Sequence, residues 1–375
     1  MKCEWKSASI ADVCQLVTDG AHKSPPSVNN GRYMASVKDF TEYGLNFANC
    51  RQISEEDYEF LKRSGCVPEY NDILIGKDGA RFFEDVIVYR QPEKPALLSS
   101  IAILRCNPDI IMPDFLYYLL KTPLYKKDVK DNFGSGSAIP RIVLKDFRRM
   151  IVRFPPLALQ EKIVSFLKCK DDMIIVNQQI NDNLTQQAQA IYTDRFVADV
   201  DTCCPIGRLS DLILIRYGKD HKKLADGPFP VFGSGGLMRR VDRALYDKES
   251  VLIPRKGTLN NVLYINEPFW SVDTMFYTEM RIPNVAKFVY HFLSSKDLAS
   301  LNAGSAVPSM TTDILNNMEL RLPDGAALAS FEEVVSPMYQ IMQENNIQSE
   351  KLAALRDALL PKLMSGELDV SDVEL

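Results

Sequence analysis

The chain has 375 residues, enough for two domains with connecting elements, and its 46% hydrophobic and 25% charged side chains are an ordinary globular balance. No apolar run approaches the roughly 18–20 residues that cross a bilayer, and the opening Met1-Lys2-Cys3-Glu4-Trp5-Lys6 lacks the apolar core of a signal peptide. A cytoplasmic protein without membrane contact is therefore expected. Eight cysteines without a C-x-x-C pair, beside only three histidines, exclude a sequence-legible zinc site and suit reduced, buried thiols.

Taken in order, Asp72-Ile73-Leu74-Ile75 and Ile101-Ala102-Ile103-Leu104 read as buried strands, and Pro113 to Lys121 as a helix with apolar spacings of three and four. Residues 159–196 carry Ile163, Leu167, Ile174, Leu184, Ala188 and Ile191 near a 3.5-residue period. Ser250-Val251-Leu252-Ile253 and Met280-Arg281-Ile282 again read as strands, and Val285 to Ser295 as a helix. A second long stripe follows over about 327–364, with Phe331, Val335, Met338, Met342, Leu352, Leu355, Leu359 and Leu363. Each stripe makes a helix of roughly 57 Å at 1.5 Å per residue. Such narrow stripes suit an antiparallel two-helix seam. Asn177 and Asn345 fall at equivalent seam positions, either buried to set register or turned to solvent, and Pro337 and Pro361 predict kinks.

The pattern is a repeat. Gly136-Ser137-Ala138-Ile139-Pro140 matches Gly304-Ser305-Ala306-Val307-Pro308 at an offset of 168 residues, and Met150, Arg153 and Pro155 fall on Met318, Arg321 and Pro323. The same offset holds into the long helices, where Asn177 meets Asn345, Leu184 meets Leu352 and Ala190 meets Ala358. Upstream the register drifts. Ile73-Leu74-Ile75 with Lys77 and Gly79 resembles Val251-Leu252-Ile253 with Arg255 and Gly257, Phe115-x-Tyr117 resembles Phe288-x-Tyr290, and Asp12 and His22-Lys23 pair with Asp211 and His221-Lys222. This gives two α/β domains, 1–156 and 201–325, each followed by a long helix, 157–200 and 326–375. The net charge of −5 divides accordingly: residues 1–156 and 205–325 carry +2 each, against −3 for 157–204 and −6 for 326–375. The acidity belongs to the helices, and the weakly basic domains are compatible with DNA.

Enzymatic signatures are absent. There is no G-x-x-x-x-G-K-[ST] loop, no G-x-S-x-G elbow and no H-E-x-x-H pair. Gly233-Ser234-Gly235-Gly236 and Gly134-Ser135-Gly136-Ser137 are turns rather than dinucleotide loops. Phe154-Pro155-Pro156-Leu157 lacks both the polar first residue and the final aromatic of the amino-methyltransferase motif. Asp78 beside Lys77 is replaced by Lys256 in the second copy, which is no pattern for a catalytic acid.

The run Lys351-Leu352-Ala353-Ala354-Leu355-Arg356-Asp357-Ala358-Leu359-Leu360-Pro361-Lys362-Leu363-Met364-Ser365-Gly366-Glu367-Leu368 resembles the end of type I restriction-modification specificity subunits. So do Pro155-Pro156-Leu157-x-x-Gln160-x-x-Ile163 and the Gly-Ser-x-x-Pro element before each helix. The resemblance spans essentially the whole chain. It implies two target-recognition domains reading the halves of a split, asymmetric sequence in double-stranded DNA, with the two helices packed antiparallel as spacer. It also implies two methyltransferase (modification) subunits docked on the chain, two ATP-dependent restriction subunits able to join, and no cofactor or catalysis of the chain's own. An orphan specificity-like scaffold without restriction partners is the alternative; steep salt dependence of DNA binding separates the two.

Basic, amide and hydroxyl side chains beside Gly-rich turns, aligned between copies or in their divergent loops, are the candidate DNA contacts. They are Lys23, Lys77, Arg81, Ser135, Ser137 and Arg141 in the first domain, and Lys222, Arg239, Arg255, Asn260, Asn261 and Ser309 in the second. His22 and His221 recur through either a structural hydrogen bond or a phosphate contact.

Overall fold

In the computed structural model, which describes residues 4–134, 140–198, 204–301 and 308–371, contacts divide the chain into two units. The first is Met1–Val176 with Gln348–Leu375, the second Asn177–Ile347. Both long helices are cut near their middles, so each unit holds one mixed domain and half of each helix.

The first unit begins with β1 (Lys6–Ser9), α1 (Ile10–Val13), β2 (Cys14–Asp19), β3 (Arg32–Ala35), β4 (Arg51–Ile53) and α2 (Glu55–Arg63). Strands β5 (Ile73–Gly76), β6 (Val86–Val88), β7 (Ala96–Leu97) and β8 (Ile101–Cys106) follow. Then come α3 (Pro113–Lys121), α4 (Pro123–Phe133), α5 (Leu144–Arg149), β9 (Ile151–Phe154) and the long α6 (Leu157–Thr193). The second domain contains β10 (Ile206–Arg208), α7 (Leu209–Leu212), β11 (Ile213–Tyr217), β12 (Phe229–Gly233), β13 (Gly236–Val241) and β14 (Ser250–Pro254). It closes with β15 (Leu263–Ile265), β16 (Trp270–Ser271), β17 (Met275–Met280), α8 (Ala286–Ser294), α9 (Thr312–Asn316), β18 (Glu319–Arg321) and the long α10 (Gly325–Ser365).

The repeat holds strand for strand. The four-stranded sheet β2-β8-β5-β6 corresponds to β11-β17-β14-β15, the three-stranded β4-β3-β7 to β13-β12-β16, and the pair β1-β9 to β10-β18. Register is kept as well: Ser7 faces Arg153 as Ile206 faces Arg321, and Asp19 faces Ala102 as Tyr217 faces Phe276. A register shift between Cys14 and Leu16 in β2 accounts for one residue of drift, since Gly20 then pairs with Gly218 rather than with Lys219. The strand frame therefore sets Lys23, not His22, opposite His221. Asp12 and Asp211 recur for a local reason: Asp12 Oδ2 accepts from the Ser9 backbone N–H at 3.1 Å and Asp211 Oδ2 from that of Arg208 at 2.7 Å, closing α1 and α7 at their starts.

Ile73, Leu74 and Ile75 are fully buried because both faces of this sheet are covered. Ile73 and Ile75 pack toward α3, α6 and the end of α10, while Leu74 packs with Ile103, Ile87 and Leu97 against the three-stranded sheet. Val251 and Ile253 repeat the first role and Leu252 the second. The expected strand at Met280-Arg281-Ile282 lies upstream, as β17; only Met280 belongs to it, because Arg281 and Ile282 turn away after the register with β11 ends.

Within each unit the long helices run antiparallel. Ile163 and Leu167 bury against Leu360 and Leu363 in the first, and Ala188 against Phe331 and Val335 in the second. Leu355, expected at the seam, is 48% exposed. α10 passes through Pro337 and Pro361 without interruption. Asn177 is buried and donates to the Asn345 carbonyl at 3.4 Å, while Asn345 Nδ2 donates to Asn181 Oδ1 at 2.9 Å. The buried reading is realised for Asn177, while Asn345 is half-buried beside it. Gln160 spends its amide on the backbone around α6, accepting from Met112 N–H at 2.9 Å and donating to the Ile110 and Pro155 carbonyls. That explains the glutamine of the Pro-Pro-Leu-x-x-Gln run. Among the described residues no helix is long and apolar enough to cross a membrane.

Candidate nucleic-acid interface

Antiparallel pairing sends the ends of β2 and β5 and the starts of β8 and β6 to one edge of the four-stranded sheet. At that edge Lys77 N–H donates to the Ser100 carbonyl at 2.9 Å, and Ile142 N–H donates to the Lys77 carbonyl at 3.0 Å. Asp78 bridges Arg141, and Gly79 takes a φ of +94° that favours glycine. The second domain repeats each step. Arg255 N–H donates to the Thr274 carbonyl at 2.8 Å, Met310 N–H to the Arg255 carbonyl at 2.9 Å, Lys256 bridges Ser309, and Gly257 has φ +88°. Two glycines close the edge from the side: a Cβ on Gly20 would stand 2.2 Å from the Leu97 oxygen, and one on Gly218 2.0 Å from that of Val272.

The residues expected to touch DNA divide into two groups. Lys23, Arg141 and Lys222 are exposed at these edges, with Arg255 and Ser309 half-buried beside them. Lys77, Arg81, Arg239, Asn260 and Asn261 are held by partners of their own domain, although Arg81 and Asn260 remain exposed. Lys77 is 7% exposed and its ammonium sits 3.2 Å from Asp19, itself 7% exposed. Arg81 pairs with Asp85 at 2.8 Å, and that hydrogen bond raises its pKa further. Arg239 donates to the Leu224 carbonyl at 2.5 Å, on the three-stranded sheet. Asn260 donates to Asp297 at 3.0 Å and accepts from Ala299 N–H at 2.9 Å, and Asn261 donates to the Ser234 carbonyl at 2.9 Å. Ser135 and Ser137 lie outside the described residues. His22 is 3.2 Å from Asp19, which gives it a structural partner.

Sequence reasoning passed over Asp19, Tyr217, Lys219, Lys223 and Lys256. The last three are exposed cations at the second edge, which also carries Asp220 and Asp273. The signal for Asp19 and Tyr217 was the glycine after each, visible only once the one-residue bulge in β2 is allowed for. Among the described residues no group of three or more His, Cys, Asp or Glu side chains could hold a metal.

Comparison with known proteins points one way. The family model of the type I restriction modification DNA specificity domain matches residues 2–186 and again 206–327. The specificity subunit of the type I restriction enzyme MjaIX from Methanocaldococcus jannaschii is 22% identical over 308 residues, covering 71% of each chain. That of HindI from Haemophilus influenzae is 22% identical over an alignment of 472 positions, covering 97% of this chain and all of the relative. The crystal structure of a type I restriction-modification S subunit from M. genitalium superposes with a TM-score of 0.55 at 16% identity, over 96% of both chains, and shares the fold.

Proposed function

Because this chain belongs to the family of type I restriction-modification DNA specificity subunits, we propose that it is the sequence-reading, non-catalytic subunit of such a complex. Its two domains each read one half of a split, asymmetric site in double-stranded DNA. The observation that carries this is the contrast inside the repeat: sheet order and register are held in common, while the side chains at the equivalent edges differ. Two unlike readers on one frame address two unlike half-sites, much as dimeric readers address spaced equal ones. Lys23 and Arg141 in the first domain, and Lys222, Arg255 and Ser309 in the second, are the contacts we assign to DNA.

Modification subunits dock, in this reading, on the long helices, where the acidity lies and apolar side chains face outward. Met173 on α6 and Ile341 on α10 are equivalent at the 168-residue offset, and both are 44% exposed. Two modification subunits, one per such face, supply adenine methylation, restriction subunits can join, and the assembly works in the cytoplasm. The test is to express the chain with its modification subunits and map methylated adenines across the host genome. A bipartite motif with a fixed gap is expected. Methyl transfer from S-adenosylmethionine by the chain alone, or an uninterrupted motif, refutes the assignment.

A further inference from the structure

Equivalent positions at the two edges hold a cation by different means. In the first domain Asp19 ends β2 and Lys77 follows β5; both are buried, 3.2 Å apart, and the second carboxylate oxygen of Asp19 lies 3.2 Å from His22. In the second domain the same two places carry Tyr217 and Arg255, with the guanidinium carbon 5.3 Å from the centre of the ring. Tyr217 is 54% exposed, and its ring is steadied by the edge of Phe276 at 5.1 Å.

The difference matters for DNA. A carboxylate cancels the charge of its cation and occupies its donors. An aromatic face attracts the cation through the ring quadrupole and leaves the in-plane N–H groups unspent. Arg255 uses Nη1 on the Asp273 carbonyl at 3.2 Å, and among the described residues no carboxylate pairs with it. Its fork therefore keeps its charge and a row of donors at an edge shared with exposed Lys219, Lys222 and Lys256.

We propose that Arg255, positioned by the face of Tyr217, is the residue through which the second domain grips a pair of acceptor atoms on DNA. Its counterpart Lys77 is withdrawn from DNA by Asp19, so the two domains anchor the duplex unequally. This rests on the DNA-reading assignment above. The paired acceptors are a guanine edge or the oxygens of a phosphate, both of which match a guanidinium fork.

The experiment uses the full chain assembled with its modification subunits and duplexes carrying the methylated motif, with Kd measured across a salt series. Arg255→Ala should weaken binding on the order of ten- to a hundredfold and, where the acceptors are phosphate oxygens, reduce the slope of log K against log salt by about one. Tyr217→Asp, which rebuilds the ion pair of the first domain, should show the same loss. Tyr217→Phe, which keeps the ring, should recover most of it. The paired change Asp19→Asn with Lys77→Met should leave the slope as it is, even where thermal unfolding shows a less stable domain. Loss confined to one base pair of the motif identifies a guanine edge, and uniform loss identifies a phosphate; either supports the proposal. An Arg255→Ala complex that melts and binds like the parent overturns it, as does equal loss on removing the Lys77 pair. A parent complex that binds no duplex overturns the DNA-reading assignment, and this proposal with it.

Discussion

The joint between the first domain and its helices is polar and enclosed, which makes it a sensitive place to perturb. Asp171 on α6 and Arg356 on α10 are 5% and 9% exposed, and Arg356 Nη1 reaches Asp171 Oδ1 at 2.5 Å. The other oxygen of Asp171 accepts from the Tyr118 hydroxyl at 2.5 Å. Burial works against the charge on Arg356, but the hydrogen bonds to Asp357 and Asp171 outweigh it and raise its pKa. Replacing Arg356 by Met keeps much of the packing and strands a buried carboxylate. Breaking a buried pair in this way costs about 3–5 kcal/mol. For a unit of this size that lowers the thermal midpoint by roughly 6–20 °C. Adding Asp171→Leu removes the stranded charge and should return most of the loss. Urea and thermal unfolding of the parent, the two single variants and the double variant give the full cycle. A cost below about 1 kcal/mol for Arg356→Met, or a double variant no better than the single, refutes the reasoning.

At the second edge, Gly218→Ala drives a Cβ to 2.0 Å from the Val272 oxygen and 2.6 Å from that of Ser271, both backbone atoms, whereas Gly235 has nothing within 4 Å of its Cβ position. The first change should cost about 2 kcal/mol or more and depress DNA affinity; Gly235→Ala, read by the same melts and titrations, should do neither. His291 is fully buried between Gln189 at 2.7 Å and Tyr339 at 2.9 Å, and burial pushes its pKa down to about 4 from 6.5. Its folded pKa lies below its unfolded one, so the stability it contributes is present above about pH 6.5 and is lost as the pH falls from there toward 4. The loss amounts to about 3 kcal/mol in all at 1.36 kcal/mol per pKa unit. Unfolding of the parent should fall off over that window, and His291→Gln should flatten the profile.

The long helices and the segments leading into them were legible because a helix cannot absorb an insertion without rotating its apolar stripe away from its partner. The 168-residue offset therefore survives from Met150 into both helices. Strands β5 and β14 were legible because burial on both faces makes them unbroken apolar runs. The three-stranded sheets were not: β7 and β16 are two residues each, too short to show a period. The split of the site residues was hidden for a different reason. Lys77 and Arg81 look alike along the chain, but whether a cation meets solvent depends on partners such as Asp19, which lies 58 residues before Lys77 and reaches it only through the pairing of both strands with β8.

Divergence is not confined to the reading edge. At the joint, Tyr118 with Asp171 in the first unit occupies the places of His291 with Tyr339 in the second. Asp114, paired with Arg90 at 2.5 Å, stands where the second unit has Lys287, paired with Glu249 at 3.3 Å and Glu332 at 2.5 Å. Sign and donor direction are exchanged at the same points of one backbone frame. A domain moved alone onto the other unit's helix segments would set Asp171 beside an imidazole without Tyr118, or Lys287 without Glu332, and such stranded groups are the costly kind. Moving a domain together with its halves of α6 and α10 keeps every one of these pairs. The exchangeable piece is thus the whole unit, cut at the middle of the helices near Val176 and Ile347, and recombination at the ends of the globular domains should yield chains that fold less well than recombination there.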